Sequence, residues 1–360
     1  MYCLYCQVTG RMVMKMRLDN RKMQILRAII DDYILNAVPV GSRTISKHPG
    51  IGLSSATIRN EMADLEELGY LEQPHLSAGR IPSDKAFRLY VDDLMSNADL
   101  NPEEIRAANN YLSMKRGGIE AVVRQTAIAL SDLTDYTSMV LSPQLRGIRL
   151  RHIQIVPLRE LTAIVIIVTD AGITKNAFIR TPYNMDAELL DRISRRLTAQ
   201  LYDCRVVDID TNKVMESLYE FGNNVDFFKA LINGIESNLE EGSKHIELSG
   251  AGNILSHPEY NDVERAKHIL SVIEEQESLY RVLRDATKME FTITIGAENE
   301  NPGMRGCSIV TATYHMKGKP IGSMGVIGPT RMNYAKVLAI LRYMGSCLSE
   351  TLTSMLEEDS

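Results

Sequence analysis

The stretch SSATIRNEMADLEELGYLEQPHLSAGRIPSDKAFRLYVD, from Ser54 to Asp92, limits the possible folds more than any other part of this chain. Ser54 or Ser55 can cap a helix whose Ile58, Met62, Leu65 and Leu68 fall on one face, leaving Ala56, Arg59, Asn60 and Ala63 on the other. Gly69 stops that helix. YLEQP, HLSAG and RIP then read as a strand, a tip and a return strand, so a hairpin follows the helix directly.

Upstream, DNRKMQILRAIIDDYILNA places Leu26, Ile29, Ile30, Tyr33 and Ile34 on an amphipathic stripe opened by an Asp or Asn cap. Pro39 breaks this helix, and Ser42 is expected to cap a second one, SRTISKH. Pro49, Gly50 and Gly52 make a tight connection to the third. Three helices, the last two joined by a short glycine-containing turn and followed by a hairpin, match a helix-turn-helix carrying a wing.

The side chains separate this from an ordinary helical bundle. Small Ser55, Ala56 and Thr57 let the third helix approach a groove floor, and Arg59 and Asn60 can donate in pairs to guanine or adenine edges. A solvated helix more often carries glutamate and lysine there. Between Pro39 and Asn60 the charged residues are Arg43, Lys47 and Arg59, with no carboxylate, while Glu61, Asp64, Glu66 and Glu67 lie in the distal half of the helix. Ser55, Thr57, Arg59 and Asn60 are expected to read base edges, and Arg43, Lys47, His75, Ser77 and Arg80 to hold the backbone. Ser54 at the helix start and Gly79 at the wing complete this DNA-binding face.

A formal charge of -6 excludes a uniformly basic coat and requires the positive charge to be local. At 360 residues, 44% hydrophobic, the chain can bury cores for two or three domains. The most apolar stretch, LTAIVIIVTD, has the length of a buried strand, and no membrane span is expected. Five scattered cysteines, an odd number, point to a reducing cytoplasm. The opening MYCLYCQVTGRMVMKM holds a Cys-x-x-Cys without a second ligand pair or a strand-to-helix setting, so neither a metal nor a redox site is expected. Met12, Met14 and Met16 could each be the start, and residues 1–17 are taken as a disordered or mis-assigned extension.

Nothing in the sequence names an enzymatic chemistry. GKPIGSMGVIGP lacks the spacing of a phosphate-binding loop, so turns and close strand packing account for its glycines. His245, His257, His268 and His315 form no i, i+4 pair, and Glu298 and Glu300 sit in a loop. No catalytic residue, metal or cofactor is expected.

After the wing, SDKAFRLYVDDLMSNA reads as a helix leading out of the module, and NPEEIRAANNYLSM as another capped by Asn101 with Pro102 at its first position. IEAVVRQTAIALSDLTDYTSMVLSP reads as a helix running into a strand, and IRLRHIQIVPL and ELTAIVIIVTDAGITKNAFI as strands with a turn at Ala171 and Gly172. A helical stretch is expected from Asp186 and a single helix over VERAKHILSVIEEQESLYRVLRDA, with FTITIG, CSIVTATYHM and PIGSMGVIGP as strands before a final helix from Asn333.

RKMQILRAIIDDYILNAVPVGSRTIS, the block from Ser54 to Met95, and SIVTATYHMKGKPIGSMGVIGPTRMNYAKV together resemble the HrcA family of bacterial heat-inducible transcription repressors. The resemblance implies an α+β multidomain fold: an N-terminal winged helix-turn-helix, then a GAF-like α/β domain interrupted by an inserted dimerising domain. It implies a homodimer bound to double-stranded DNA at an inverted-repeat operator, CIRCE, upstream of chaperone operons, with the chaperonin GroEL keeping the repressor active. On that plan residues 18–98 form the DNA-binding domain, 99–185 and 282–360 the two parts of the GAF-like domain, and 186–281 the insertion. A different reading is a ligand-sensing GAF-like regulator whose winged helix is an output or protein-docking module. It requires a pocket of convergent polar groups beneath the strands from Phe291 to Gly328, where valine, isoleucine, alanine and methionine instead predict a filled core.

Overall fold

The computed structural model describes residues 18–75, 78–112, 118–143, 149–159, 161–170, 174–182, 185–205, 208–222, 224–316 and 318–358. The expected extension 1–17, Ser77 and the turn at Ala171 and Gly172 lie outside them. The chain divides into two compact units, the first ending at Met95 and the second beginning at Ser96.

In the first unit, Asp19 caps α1 (Asn20–Asn36) by accepting from the Lys22 amide at 2.7 Å. Helix α2 (Ser42–Ser46) has Gly41 as its cap with no side-chain bond, so Ser42 is not the cap that its residue type suggested; it is already helical. Ser54, not Ser55, caps α3 (Ser55–Glu67). That helix ends in a Schellman motif: Gly69 has φ of +74°, its amide donates to Glu66 O, and Tyr70 N donates to Leu65 O. Strands β1 (Leu71–Glu72) and β2 (Ile81–Pro82) pair antiparallel, and a further bridge joins Val40 to Arg80. Ser83 then caps α4 (Asp84–Leu89) while its hydroxyl donates to Gly69 O, which ties the exit helix to the end of α3. A π-helical turn, Tyr90–Leu94, continues α4, and the Tyr90 hydroxyl donates to Asp31 at 2.7 Å. Ile25, Leu26, Ile29, Ile30, Ile45, Ile58, Leu65 and Phe87 are fully buried and hold the helices together. Each contributes roughly 1.5–3 kcal/mol of apolar burial.

The described residues of the second unit form two antiparallel sheets. The larger has β3 (Thr137–Leu141), β7 (Ile246–Ser249), β8 (Phe291–Ile295), β9 (Cys307–Met316) and β10 (Lys319–Pro329) in the order β7-β3-β10-β9-β8. Helices α5 (Pro102–Leu112), α6 (Gly118–Thr134) and α12 (Tyr334–Glu358) lie on one side, where Ser138 Oγ donates to Ala127 O and Ser308 bonds the Tyr334 hydroxyl. On the other side Met139, Leu141, Ile309 and Ile327 pack with Ile269, Val272 and Ile273 of α10 (Val263–Glu274) and Leu279 and Leu283 of α11 (Gln276–Ala286). The single helix expected here is two helices. Glu275, at ψ of 77°, breaks it without glycine or proline, and both apolar stripes reach the same core. The glycines of β10 are packing residues: a Cβ on Gly322 would come within 2.3 Å of the Tyr314 hydroxyl, and one on Gly328 within 2.6 Å of Tyr136.

The smaller sheet, β4 (Leu150–Arg159), β5 (Thr162–Thr169) and β6 (Thr174–Arg180), has its own core with α7 (Ala187–Leu201), α8 (Thr211–Leu218) and α9 (Val225–Lys244). Along β5 burial alternates, so Ala163, Val165 and Ile167 face these helices. Along the edge of β4, α7 supplies hydroxyls: Ser194 accepts from Ile155 N at 2.9 Å, and Thr198 both accepts from Ile153 N and donates to Ile153 O. The interruption of the larger sheet therefore falls between β3 and β7, beside an insertion expected over 186–281. β4–β6, expected in the first part of the sheet domain, belong to the insertion, and β7, α10 and much of α11 return to the larger sheet.

Candidate nucleic-acid interface

Helix α3 opens with a self-contained hydroxyl pair. Ser54 Oγ accepts from Thr57 N at 3.1 Å and lies 2.9 Å from Thr57 Oγ1, so both hydroxyls are engaged in shaping the first turn. Beyond it Ala56, Arg59, Asn60 and Ala63 are exposed, Ser55 is half-buried, and Ile58, Met62 and Leu65 point inward. The helix thus presents two multi-donor side chains between two alanines, with little bulk to hold a groove floor away.

Arg43 of α2 and Lys47 at its C-cap are exposed and line a hollow of about 440 Å³ together with Asp32, Thr44, His48 and Pro49. His75 is exposed at the hairpin. Ser77 is outside the described residues. Gly79 is not a projecting tip residue: a Cβ there would lie 2.4 Å from Val40 O, so glycine lets the returning strand press against the segment between α1 and α2. Arg80, expected on the DNA backbone, sends Nε and Nη2 to Glu66 Oε2, each at 2.8 Å, and ties the hairpin to the distal part of α3.

Sequence reasoning passed over Lys22. Its ammonium lies 2.8 Å from Glu61 and 2.9 Å from Asp64, and Arg21 approaches Glu61 at 3.5 Å. The hydrogen bonds that Lys22 donates to Glu61 first and then to Asp64 raise its pKa well above the ordinary lysine value, so it stays charged at every physiological pH. The signal for these pairings is tertiary, since 39 positions separate Lys22 from Glu61.

Among the described residues no group of three or more His, Cys, Asp or Glu could hold a metal ion, and no helix is long and apolar enough to cross a membrane.

Residues 120–338 match the family model described as the HrcA protein C terminal domain. A protein of Acetivibrio thermocellus named heat-inducible transcription repressor HrcA is 41% identical over 347 residues, covering 96% of this chain and 99% of its own. One of the same name from Brevibacillus brevis is 41% identical over 341 residues, covering 95% of this chain and all of its own. A crystal structure described only as that of a hypothetical protein superposes with a TM-score of 0.65 at 28% identity over 94% of this chain. Such identity over nearly the whole length, on a chain whose first unit exposes a capped, carboxylate-poor helix start, places it: the chain belongs to the HrcA family of heat-inducible transcription repressors.

Proposed function

We propose that this chain is a non-enzymatic repressor of heat-shock genes that works in the cytoplasm and binds, as a homodimer, an inverted-repeat operator of the CIRCE type, its activity supported by the chaperonin GroEL. The first unit is read as a winged helix-turn-helix and the larger sheet as a GAF-like domain. The observation carrying the DNA reading is the start of α3, where Arg59 and Asn60 stand exposed between Ala56 and Ala63. Arg59 and Asn60, with Ser55, read base edges; Arg43, Lys47 and His75 hold the backbone, and Ser54 and Thr57 set the first turn.

The dimer is supported by the smaller sheet. Val156, Ile164 and Phe178 stand in register across its three strands on the side away from α7–α9, and Phe178 is 75% exposed. A second copy of this chain meeting it there would bury that row; a dimer that reads an inverted repeat needs its two α3 helices in major grooves roughly one helical turn, or a multiple of it, apart. The sensor alternative draws no support from the packing, since Tyr314, Met324 and Val326 are fully buried within the larger sheet.

A salt-dependent titration against a CIRCE duplex and a scrambled duplex of equal length tests the reading. Binding to CIRCE tighter by three orders of magnitude or more, in the range of specific readers, is expected. Equal and weak binding to both, with and without GroEL, would refute it.

A further inference from the structure

Four carboxylates, Glu61, Asp64, Glu66 and Glu67, follow Asn60 on the helix assigned to DNA. At 3.6 residues per turn, Asp64 stands one turn beyond Asn60 along nearly the same line, and Glu66 two turns beyond Arg59 on the opposite flank. Unscreened negative charge at those places opposes an approaching phosphate backbone. Three of the four are engaged within the protein, by Lys22 at Glu61 and Asp64 and by Arg80 at Glu66. The Lys22 and Glu61 side chains are only 17% and 12% exposed, so this pair is screened less than a surface bridge.

We propose that Lys22 and Arg80 are positioning residues for DNA recognition: they pair with Glu61, Asp64 and Glu66, and so lower the negative charge that flanks the face bearing Arg59 and Asn60 where it meets phosphate. The proposal rests on the assignment of α3 to DNA. Neither cation is a phosphate contact. Their effect on affinity passes through Glu61, Asp64 and Glu66 and disappears when those residues are neutral.

The full chain is titrated with operator and scrambled duplexes over a salt series. If wild type fails to distinguish the duplexes, the assignment of α3 falls and takes this proposal with it, before any variant is read. If it does distinguish them, Lys22→Met is expected to bind the operator about tenfold more weakly. Adding Glu61→Gln and Asp64→Asn to Lys22→Met restores binding to within about threefold with the wild-type salt slope, and Glu66→Gln does the same for Arg80→Met. Unaltered binding by both single variants overturns the proposal. So does failure of the neutral partners to restore binding together with a salt slope lower by about one, the mark of a lost phosphate contact. Thermal unfolding shows whether each variant is folded. If Lys22→Met is not, the Glu61→Gln, Asp64→Asn variant with Lys22 intact decides: operator binding as tight as wild type or tighter upholds the proposal, and loss of binding by the folded variant overturns it.

Discussion

Arg59 and Lys47 are both exposed cations, and their neighbours give them different work. Arg59→Ala is expected to cost about 1–3 kcal/mol on the cognate site and to relax its sequence preference, whereas Lys47→Ala weakens every sequence alike and lowers the salt slope by about one. Parallel titrations on operator and scrambled duplexes check both. Cys307 offers a test of packing: burial pushes its thiol up to about 12, while Cys204 is only half-buried. At pH 8 a thiol-alkylating reagent should modify Cys204 in the folded protein and reach Cys307 only after unfolding, as mass spectrometry of the labelled peptides would show. Because the unfolded thiol ionises first, the stability due to the protonated Cys307 is full below the ordinary thiol range and is lost as pH rises from there towards about 12. Much at this scale was legible in sequence, because caps and exposed donors are local choices; Asp19, Ser54 and Asn101 all cap the helices that follow them. The partner of Arg80 was not, since only the folded hairpin brings it beside Glu66.

Elements were legible where one periodicity ran between clear stops. The stripe of α1 and the glycine end of α3 are of that kind. The break at Glu275 was hidden because a non-proline, non-glycine residue leaves no mark in the pattern. The hairpin strands were legible as strands, while the closeness of Gly79 to Val40 depends on a bridge between segments 40 positions apart. An interaction between elements also governs β4. Ser194→Ala removes the acceptor for the Ile155 amide in a buried setting, and is expected to cost about 1–3 kcal/mol, read as a lower midpoint in denaturant. A midpoint equal to that of wild type would mean that the amide finds another acceptor.

The whole molecule was the least legible scale. β3 and β4 lie close in sequence and are both rich in β-branched residues, yet β3 pairs with β10 and β7, and β4 with β5. Alternation of side chains tells that a strand is half-buried and says nothing about which sheet it joins. Hence the stretch between β3 and β7 begins and ends earlier in the chain than the 186–281 expected for the insertion. Its exposed row leads to a prediction about assembly: Phe178→Asp should weaken self-association by about 2 kcal/mol or more, giving monomers in sedimentation velocity at micromolar concentration. An undiminished dimer would move the interface elsewhere. The hydroxyls that α7 lays along β4 bear on the conditions in which a heat-inducible repressor has to last. Heat fills a cell with loosened polypeptide segments that add to any bare strand, and a strand whose amides at Ile153 and Ile155 are already taken offers them no place to begin. At that edge the sheet is closed to the addition of a foreign strand.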